Sequence, residues 1–173
     1  MRAAKVLPRL RLLVLLRVLA AVLRTWFNGW CTKRRFQGKG DCLFGCPLGE
    51  DSVDHYMCCS RLHMYGQARL RLPLAREFAD RGLSFMLLEA SSSLSDAMLT
   101  RRALLVAAAY RLHCRHRRAA SPLDAASLSR ALDQSVKESS LGHKSAMKHL
   151  DCMWAQNPSS SSSPSRREAA SLP

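Results

Sequence analysis

Acidic residues are missing from the first 40 positions of this 173-residue chain, and the same stretch holds ten bases: Arg2, Lys5, Arg9, Arg11, Arg17, Arg24, Lys33, Arg34, Arg35 and Lys39. A segment so one-sided is set against a polyanion, nucleic acid first and an anionic membrane surface second. Aromatics are also scarce, at 6%, and glycine and proline number only eight and seven. With Leu and Ala dominating the apolar residues, this disfavours sheets and predicts a mainly α-helical chain. Long apolar runs are lacking from the opening stretch LPRLRLLVLLRVLAAVL, where the longest unbroken one is six residues, 18–23. A bilayer span needs about 20 residues and a secretory signal an apolar core of about 7 to 15, so no transmembrane segment is expected. An Arg-rich, acid-poor organelle presequence is compatible with the same residues.

What is present is strongly basic: 27 Lys and Arg against 13 Asp and Glu, a net charge of +14. A second acid-free block, residues 100–121, carries Arg101, Arg102, Arg111, Arg115, Arg117 and Arg118. The length suits one modest domain.

Along the chain, residues 5–36 read as one or two helices, with Pro8 near the first turn and Gly29 as a break. On a helical wheel Arg2, Lys5, Arg9, Arg17 and Arg24 fall within about 120°, which predicts one buried face with Arg11 as its misfit. QGKGD, 37–41, is a turn. Asp51 or Ser52 caps a helix that carries His55 to about Leu72, stopped by Pro73. A short helix is expected over 74–81, and the apolar run LSFMLLEA, 83–90, is helix or strand. Ser95 caps a long helix from Asp96 to about His116, acid at its start and arginines at its end as the macrodipole prefers. Ser121, Pro122, Leu123 and Asp124 open a last helix, with proline at its first position, running to about Lys137. The serine-rich end, 157–173, is too poor in apolar residues to order itself. The segments are then 1–36, basic and amphipathic; 37–60, a zinc knuckle; 61–137, a helical domain; and 138–173, a low-complexity tail.

The knuckle rests on CLFGCPLGEDSVDHYMCC, in which four cysteines and a histidine fall within residues 42–59. Zinc takes four N or S donors in a tetrahedron. Cys42 and Cys46 form a C-x3-C pair, and His55 and Cys59, four apart on a helix, share a face. Cys58 is also in reach. Gly45 and Gly49 let the backbone fold tightly around the first pair. Against the metal stand a disulfide framework, disfavoured by an odd count of seven cysteines, and scattered buried thiols. A structural Zn2+ held by Cys42, Cys46, His55 and Cys59 is the expectation. Cys31, Cys114 and Cys152 have no partner spacing. His113 and His116, flanking Cys114 among arginines, are read as part of a phosphate-facing surface. Glu50, Asp51 and Asp54 are read as helix-capping acids that offset nearby positive charge.

RTWFNGWCTKRRFQ, 24–37, followed by the cysteine segment, resembles the zinc-binding region at the C-terminus of reverse transcriptases from non-LTR (LINE-type) retrotransposons. The likeness is a helix with Trp-x3-Trp and a basic end, then a C-x3-C-x8-H-x3-C (CCHC) knuckle with acids before the histidine. It covers about residues 18–60 and more loosely extends to 118. It implies a region downstream of a polymerase that helps hold template RNA or target DNA, with Cys42, Cys46, His55 and Cys59 as ligands. Many members place the last cysteine one residue later, where this chain has Ser60, so the choice between Cys58 and Cys59 stays open at this point.

The polymerase itself is not represented: its paired magnesium carboxylates need an Asp-Asp, and this chain has none. Nor is there a nucleophile elbow or a phosphate loop. The expectation is a non-catalytic module with no small-molecule substrate. It would bind RNA or DNA through Arg24, Lys33, Arg34, Arg35, Lys39, Arg115, Arg117 and Arg118, in a nuclear or cytoplasmic ribonucleoprotein. Trp26, Phe27, Trp30 and Phe36 offer stacking or core surface, with core packing favoured for the two tryptophans. The alternative is a protein-interaction module that docks on a reverse transcriptase core.

Overall fold

Helices account for nearly all regular structure in the computed structural model, which describes residues 2–47, 49–73, 94–118 and 122–141 together with Gly82, Phe85 and Leu87. In chain order these are α1 (Arg2–Leu13), α2 (Leu16–Trp26), a 3-10 turn (Arg34–Phe36), α3 (Val53–Cys58), α4 (Ser60–Leu70), α5 (Asp96–His116) and α6 (Ala125–Ser140). No strand occurs among the described residues, only one isolated antiparallel bridge between Asp41 and Glu50. The mainly α expectation therefore holds, with the cysteine segment inserted between helices.

α5 is the axis of the core. Its stretch from Ala103 to Ala109 is buried on every side, together with Leu99, Leu112 and His113, as expected of a helix surrounded by others. α1, α2, α4 and α6 all pack against it. Ser95 caps it as expected, its Oγ accepting the Met98 N–H at 3.2 Å. α1 and α2 meet it in chain order. Near its start Arg9 of α1 donates to Leu94 O at 2.8 Å and pairs with Asp96; fourteen residues on, Tyr110 of α5 receives Arg24 of α2 at 3.0 Å. α4 approaches closely because Gly66 has no side chain: a Cβ there would lie 3.0 Å from Leu105 and 3.2 Å from Leu72. Tyr65 and Arg69 then clasp Asp133 of α6, the hydroxyl at 2.9 Å and the guanidinium at 2.8 Å.

Several helix boundaries differ from the sequence reading. A break at Val14 and Leu15 precedes the one expected at Gly29, before which α2 ends at Trp26, and Pro8 lies inside α1. Each of the two helices thereby lays its own apolar stripe on the core, Val6 and Leu10 in one and Val18, Leu19 and Val22 in the other. Arg11, the misfit of the single-wheel reading, faces solvent. The helix expected from His55 to about Leu72 is two helices separated by Cys59, whose ψ of 116° is extended. It also ends earlier, at Leu70, with Arg71 left-handed (φ 50°). At the last helix the cap is Asp124, whose carboxylate accepts the Ala126 and Ser127 N–H groups, so Pro122 precedes the helix instead of opening it. α6 continues to Ser140, past Lys137 and into the segment read as tail. The expected helix over 74–81, most of the run 83–90 and residues 142–173 lie outside the described residues.

Candidate metal centre

Local hydrogen bonding explains how the cysteine segment closes. The Cys42 N–H donates to Gly49 O at 2.7 Å, the Asp51 N–H to Gly40 O at 2.9 Å, and the Gly49 N–H to Cys46 O at 3.3 Å. Between the cysteines, Gly45 turns the chain with φ +78°, its N–H donating to Cys42 O at 2.9 Å. A Cβ at Gly45 would lie 2.6 Å from Leu123 O, and the Leu123 N–H donates to Leu43 O at 3.0 Å. The loop is thus seated on the connection between α5 and α6. Ser52, one of the two residues read as a cap, is the one that serves: its Oγ accepts the His55 N–H at 3.1 Å.

These turns bring Cys42, Cys46, His55 and Cys59 together, one donor atom from each lying within 4.8 Å of all the others. The Sγ of Cys46 and Cys59 are 3.3 Å apart and those of Cys42 and Cys59 4.0 Å. Four donors at 2.0 to 2.3 Å from one tetrahedral ion sit about 3.3 to 3.8 Å from one another, so the cluster is close to coordination geometry. All three cysteines are buried and His55 is half-buried. His55 Nε2 is itself buried with no hydrogen-bond partner, an uncompensated polar atom that an ion would satisfy. Gly49 forms the wall: a Cβ there would fall 2.3 Å from His55 Cε1 and Nε2 and 2.9 Å from the Cys42 Cβ.

Cys59, and not Cys58, completes the set. The helix break at Cys59 turns consecutive side chains apart, and Cys58 Sγ lies 3.7 Å from where a Cβ on Gly82 would be. Ser60, the position at which the LINE-type pattern has its cysteine, places Oγ 3.5 Å from Cys46 Sγ. There it would support a ligand instead of being one.

Electrostatics in the cluster favour a cation. Cys42 is held down at about 4, chiefly by its hydrogen bond with Cys59 and further by His55, against the cost of burial. Cys59 is driven up by the same contact with Cys42 and by burial. Burial also pushes Cys46 up, but the Ser60 hydroxyl, the Arg61 backbone N–H and Cys59 outweigh it and lower it. His55 is raised by Cys42 against its own burial. Three sulfurs this close cannot all ionise by themselves. A divalent ion of borderline softness removes that conflict and suits a donor set of three sulfurs and one nitrogen.

Beneath the cluster lies a buried aromatic platform. The rings of Tyr56, Tyr110 and His113 surround Trp30 at centroid distances of 5.4, 5.5 and 5.2 Å, and Trp30 Nε1 donates to Thr25 Oγ1 at 2.9 Å. The core role favoured for Trp30 is the observed one; Trp26 is half-buried against the same core. Asp51, read as a cap, is instead buried and accepts from the Tyr56 hydroxyl at 2.6 Å and from the Lys33 N–H at 2.9 Å. His113 is fully buried and meets Asp51 Oδ1 at 3.2 Å, so it does not face phosphate. Sequence reasoning missed this pair because 62 positions separate its members and nothing in their spacing links them.

The eight bases expected to bind nucleic acid are all exposed, whereas Arg102 of the second block is buried and Arg101 and Arg111 are half-buried. Arg24 reaches Tyr110, Arg34 pairs with Glu50 at 3.2 Å, Arg35 donates to Asn28 O at 2.8 Å, and Arg115 pairs with Glu138 at 2.6 Å. Lys33, Lys39, Arg117 and Arg118 have no ion pair among the described residues. The C-terminal parts of the two basic blocks, some 80 positions apart, meet at one end of the molecule, whereas Arg9 lies at the other end of α5, beside Asp96. Asp51 holds the Lys33 N–H on one side and His113 on the other, and Arg117 lies one turn beyond His113, its N–H on His113 O. Five residues after Arg118, Leu123 is bonded to the knuckle, a distance the chain spans in no more than about 18 Å. Beside this end lies an open cleft of about 450 Å³, lined by the cations Arg34 and Lys39 and by the carboxylates Asp41, Glu50 and Asp51.

Comparison with protein-family models, with curated proteins and with solved structures finds no match to this chain. No helix among the described residues is long and apolar enough to cross a membrane.

Proposed function

We propose that this chain is a zinc-stabilised, basic module that binds RNA or DNA and has no catalytic activity by itself. The observation that supports it is the convergence of the ends of the two basic blocks, residues 33–39 and 115–118, where the molecule carries the Cys42, Cys46, His55 and Cys59 cluster. Zinc is the ion we assign, because three thiols and an imidazole with no added carboxylate are its structural ligand set. With three thiolates and a neutral histidine the site would be closed, so the metal's contribution is to folding, on the order of 10 kcal/mol in small sites. Lys33, Lys39, Arg117 and Arg118 would contact phosphates, with Arg24, Arg34, Arg35 and Arg115 at the margins. Such contacts are largely sequence-neutral.

The resemblance of residues 18–60 to the C-terminal region of LINE-type reverse transcriptases enters the same proposal: the chain would act as a stranded piece of such a polymerase, within a nuclear or cytoplasmic ribonucleoprotein. The test is elemental analysis of purified protein, followed by RNA and DNA binding across a salt series. The expected outcome is one zinc per chain and affinity that falls steeply with salt. Zero zinc, or binding indifferent to salt, would refute it.

One observation favours a second reading, a protein-interaction module. Leu12 near the end of α1 and Leu16 at the start of α2 are 82% and 79% exposed, apolar side chains that a docked partner would cover. Zinc binding without salt-sensitive nucleic-acid binding would select it.

A further inference from the structure

Two phenylalanines stand in water at the basic end. Phe27 is 79% exposed and Phe36 69% exposed, although the core nearby is built from aromatic rings. Isolated exposed leucines are ordinary, but large planar side chains left bare beside cations are informative. Arg35 ties the two together. It precedes Phe36 in the chain, and its guanidinium is anchored on the carbonyl of Asn28, next to Phe27.

The platform is rigid before any ligand arrives. Phe36 closes the 3-10 turn with its N–H on Lys33 O at 3.0 Å, and the Gly38 N–H returns to the same carbonyl at 2.8 Å. Lys33 is fixed in turn by Asp51, which accepts its N–H. Phe36 therefore projects from a turn pinned to the buried core and does not ride on a loose loop. The turn's own Arg34, with Lys39, lines a cleft of about 450 Å³ whose wall also includes Asp41, Glu50 and Asp51.

From this arrangement we infer that the chain carries a single-strand site, in which unpaired bases stack on Phe36 and Phe27 while Lys33, Arg35 and Lys39 hold the intervening phosphates. The inference rests on the nucleic-acid reading above and deepens it by naming the form bound. Base faces are covered in a duplex and open in a single strand, so stacking platforms select the latter without reading sequence.

The experiment measures binding of zinc-loaded full chain to a labelled 16-nucleotide RNA, to the same sequence in DNA, and to the corresponding duplexes, at several salt concentrations. Phe36→Ala should weaken both single strands about 5- to 150-fold and leave duplex affinity and salt slope unchanged. Phe27→Ala should act in the same direction. Phe36→Trp should retain wild-type binding, whereas Phe36→Leu, apolar but not planar, should lose as much as alanine. Because both side chains are exposed, circular dichroism should be unaltered. Equal loss on single strands and duplexes, no loss on either, or full rescue by leucine overturns the stacking site while leaving the nucleic-acid reading intact. Absence of salt-sensitive binding by wild type overturns that reading itself.

Discussion

His113 Nε2 lies 3.2 Å from Asp51 Oδ1, and both residues are buried. The contact joins the end of α5 to the loop that carries the metal cluster. Asp51 also receives the Tyr56 hydroxyl and the Lys33 N–H, so one carboxylate holds the knuckle, the 3-10 turn and the long helix in register. The metal ligands and the basic surface are positioned through the same side chain.

Replacing Asp51 should therefore be costly. Asp51→Ala leaves a hydroxyl, an imidazole and a backbone N–H without their buried acceptor, and urea titration of zinc-loaded protein should show a loss of about 2 to 4 kcal/mol. Asp51→Asn, which keeps an acceptor oxygen, should lose less. The Asp51 carboxyl is held below its ordinary value: burial pushes it up, but hydrogen bonds from His113, Tyr56 and the Lys33 N–H outweigh burial. A depressed carboxylate contributes stability that is complete above its unfolded pKa, about 4, and is lost as pH falls through the folded value. The difference between wild type and Asp51→Asn should thus be flat from pH 5 to 8. A slope in that range would show that the Asp51 carboxylate is not the group responsible.

Glycine substitutions separate the wall of the metal centre from its surroundings. At Gly49 a methyl group would collide with the His55 ring at 2.3 Å, and at Gly45 with Leu123 O at 2.6 Å on a left-handed backbone. At Gly38 its nearest neighbour is 3.4 Å away. In a chelator-competition assay Gly49→Ala should lower zinc affinity at least about 10-fold, the scale seen when support of a ligand is lost. Gly45→Ala should lower overall stability more than affinity. Gly38→Ala should bind zinc as wild type does, and equal behaviour of the three variants would contradict the cradle.

The sequence made parts of this legible and hid others for a common reason. Ser95, Asp96 and the apolar run of α5 announce that helix because capping and burial periodicity are local. C-x3-C and the following histidine announce the cluster because its ligands come from one stretch of chain. The break at Cys59 was not visible, since VDHYMCCSRLHMY contains no glycine or proline to mark it. Its origin lies in the site, where Cys59 must turn inward while α4 packs on α5. Asp51 looked like a cap because acids before a helix usually are, and only the fold brings His113 to it. Phe27 and Phe36 could not be told from Trp30 by type or spacing, because exposure is a tertiary property.

Adjacent cysteines give a sharp test of the ligand set. Cys58→Ser should retain one zinc per chain and the wild-type helical signal, because Cys58 points toward residue 82. Cys59→Ser should lose metal and, with it, structure. Cobalt substitution reads the same distinction through the thiolate charge-transfer band, which should weaken for Cys59→Ser alone. Equal loss in both variants would mean that the ion draws on Cys58 as well.

Ion pairing within the chain predicts which cations matter for binding. Arg34 is neutralised by Glu50 and Arg115 by Glu138, so each must give up a partner to meet a phosphate. Lys39, Arg117 and Arg118 have no such partner among the described residues and are free to displace condensed counterions from nucleic acid. Each alanine substitution at these three should reduce the slope of log affinity against log salt by about one, roughly additively. Arg34→Ala and Arg115→Ala should change the slope by less; Arg34→Ala should instead leave Glu50 unopposed and weaken binding by repulsion at low salt, whereas in Arg115→Ala the Glu138 carboxylate keeps Arg111 at 3.2 Å and the low-salt loss should be smaller. The charge-neutral double variant Arg34→Ala with Glu50→Ala should restore low-salt affinity close to wild type. Slopes that fall equally at paired and unpaired positions would show that the charge of this end acts as a diffuse field, without defined phosphate contacts.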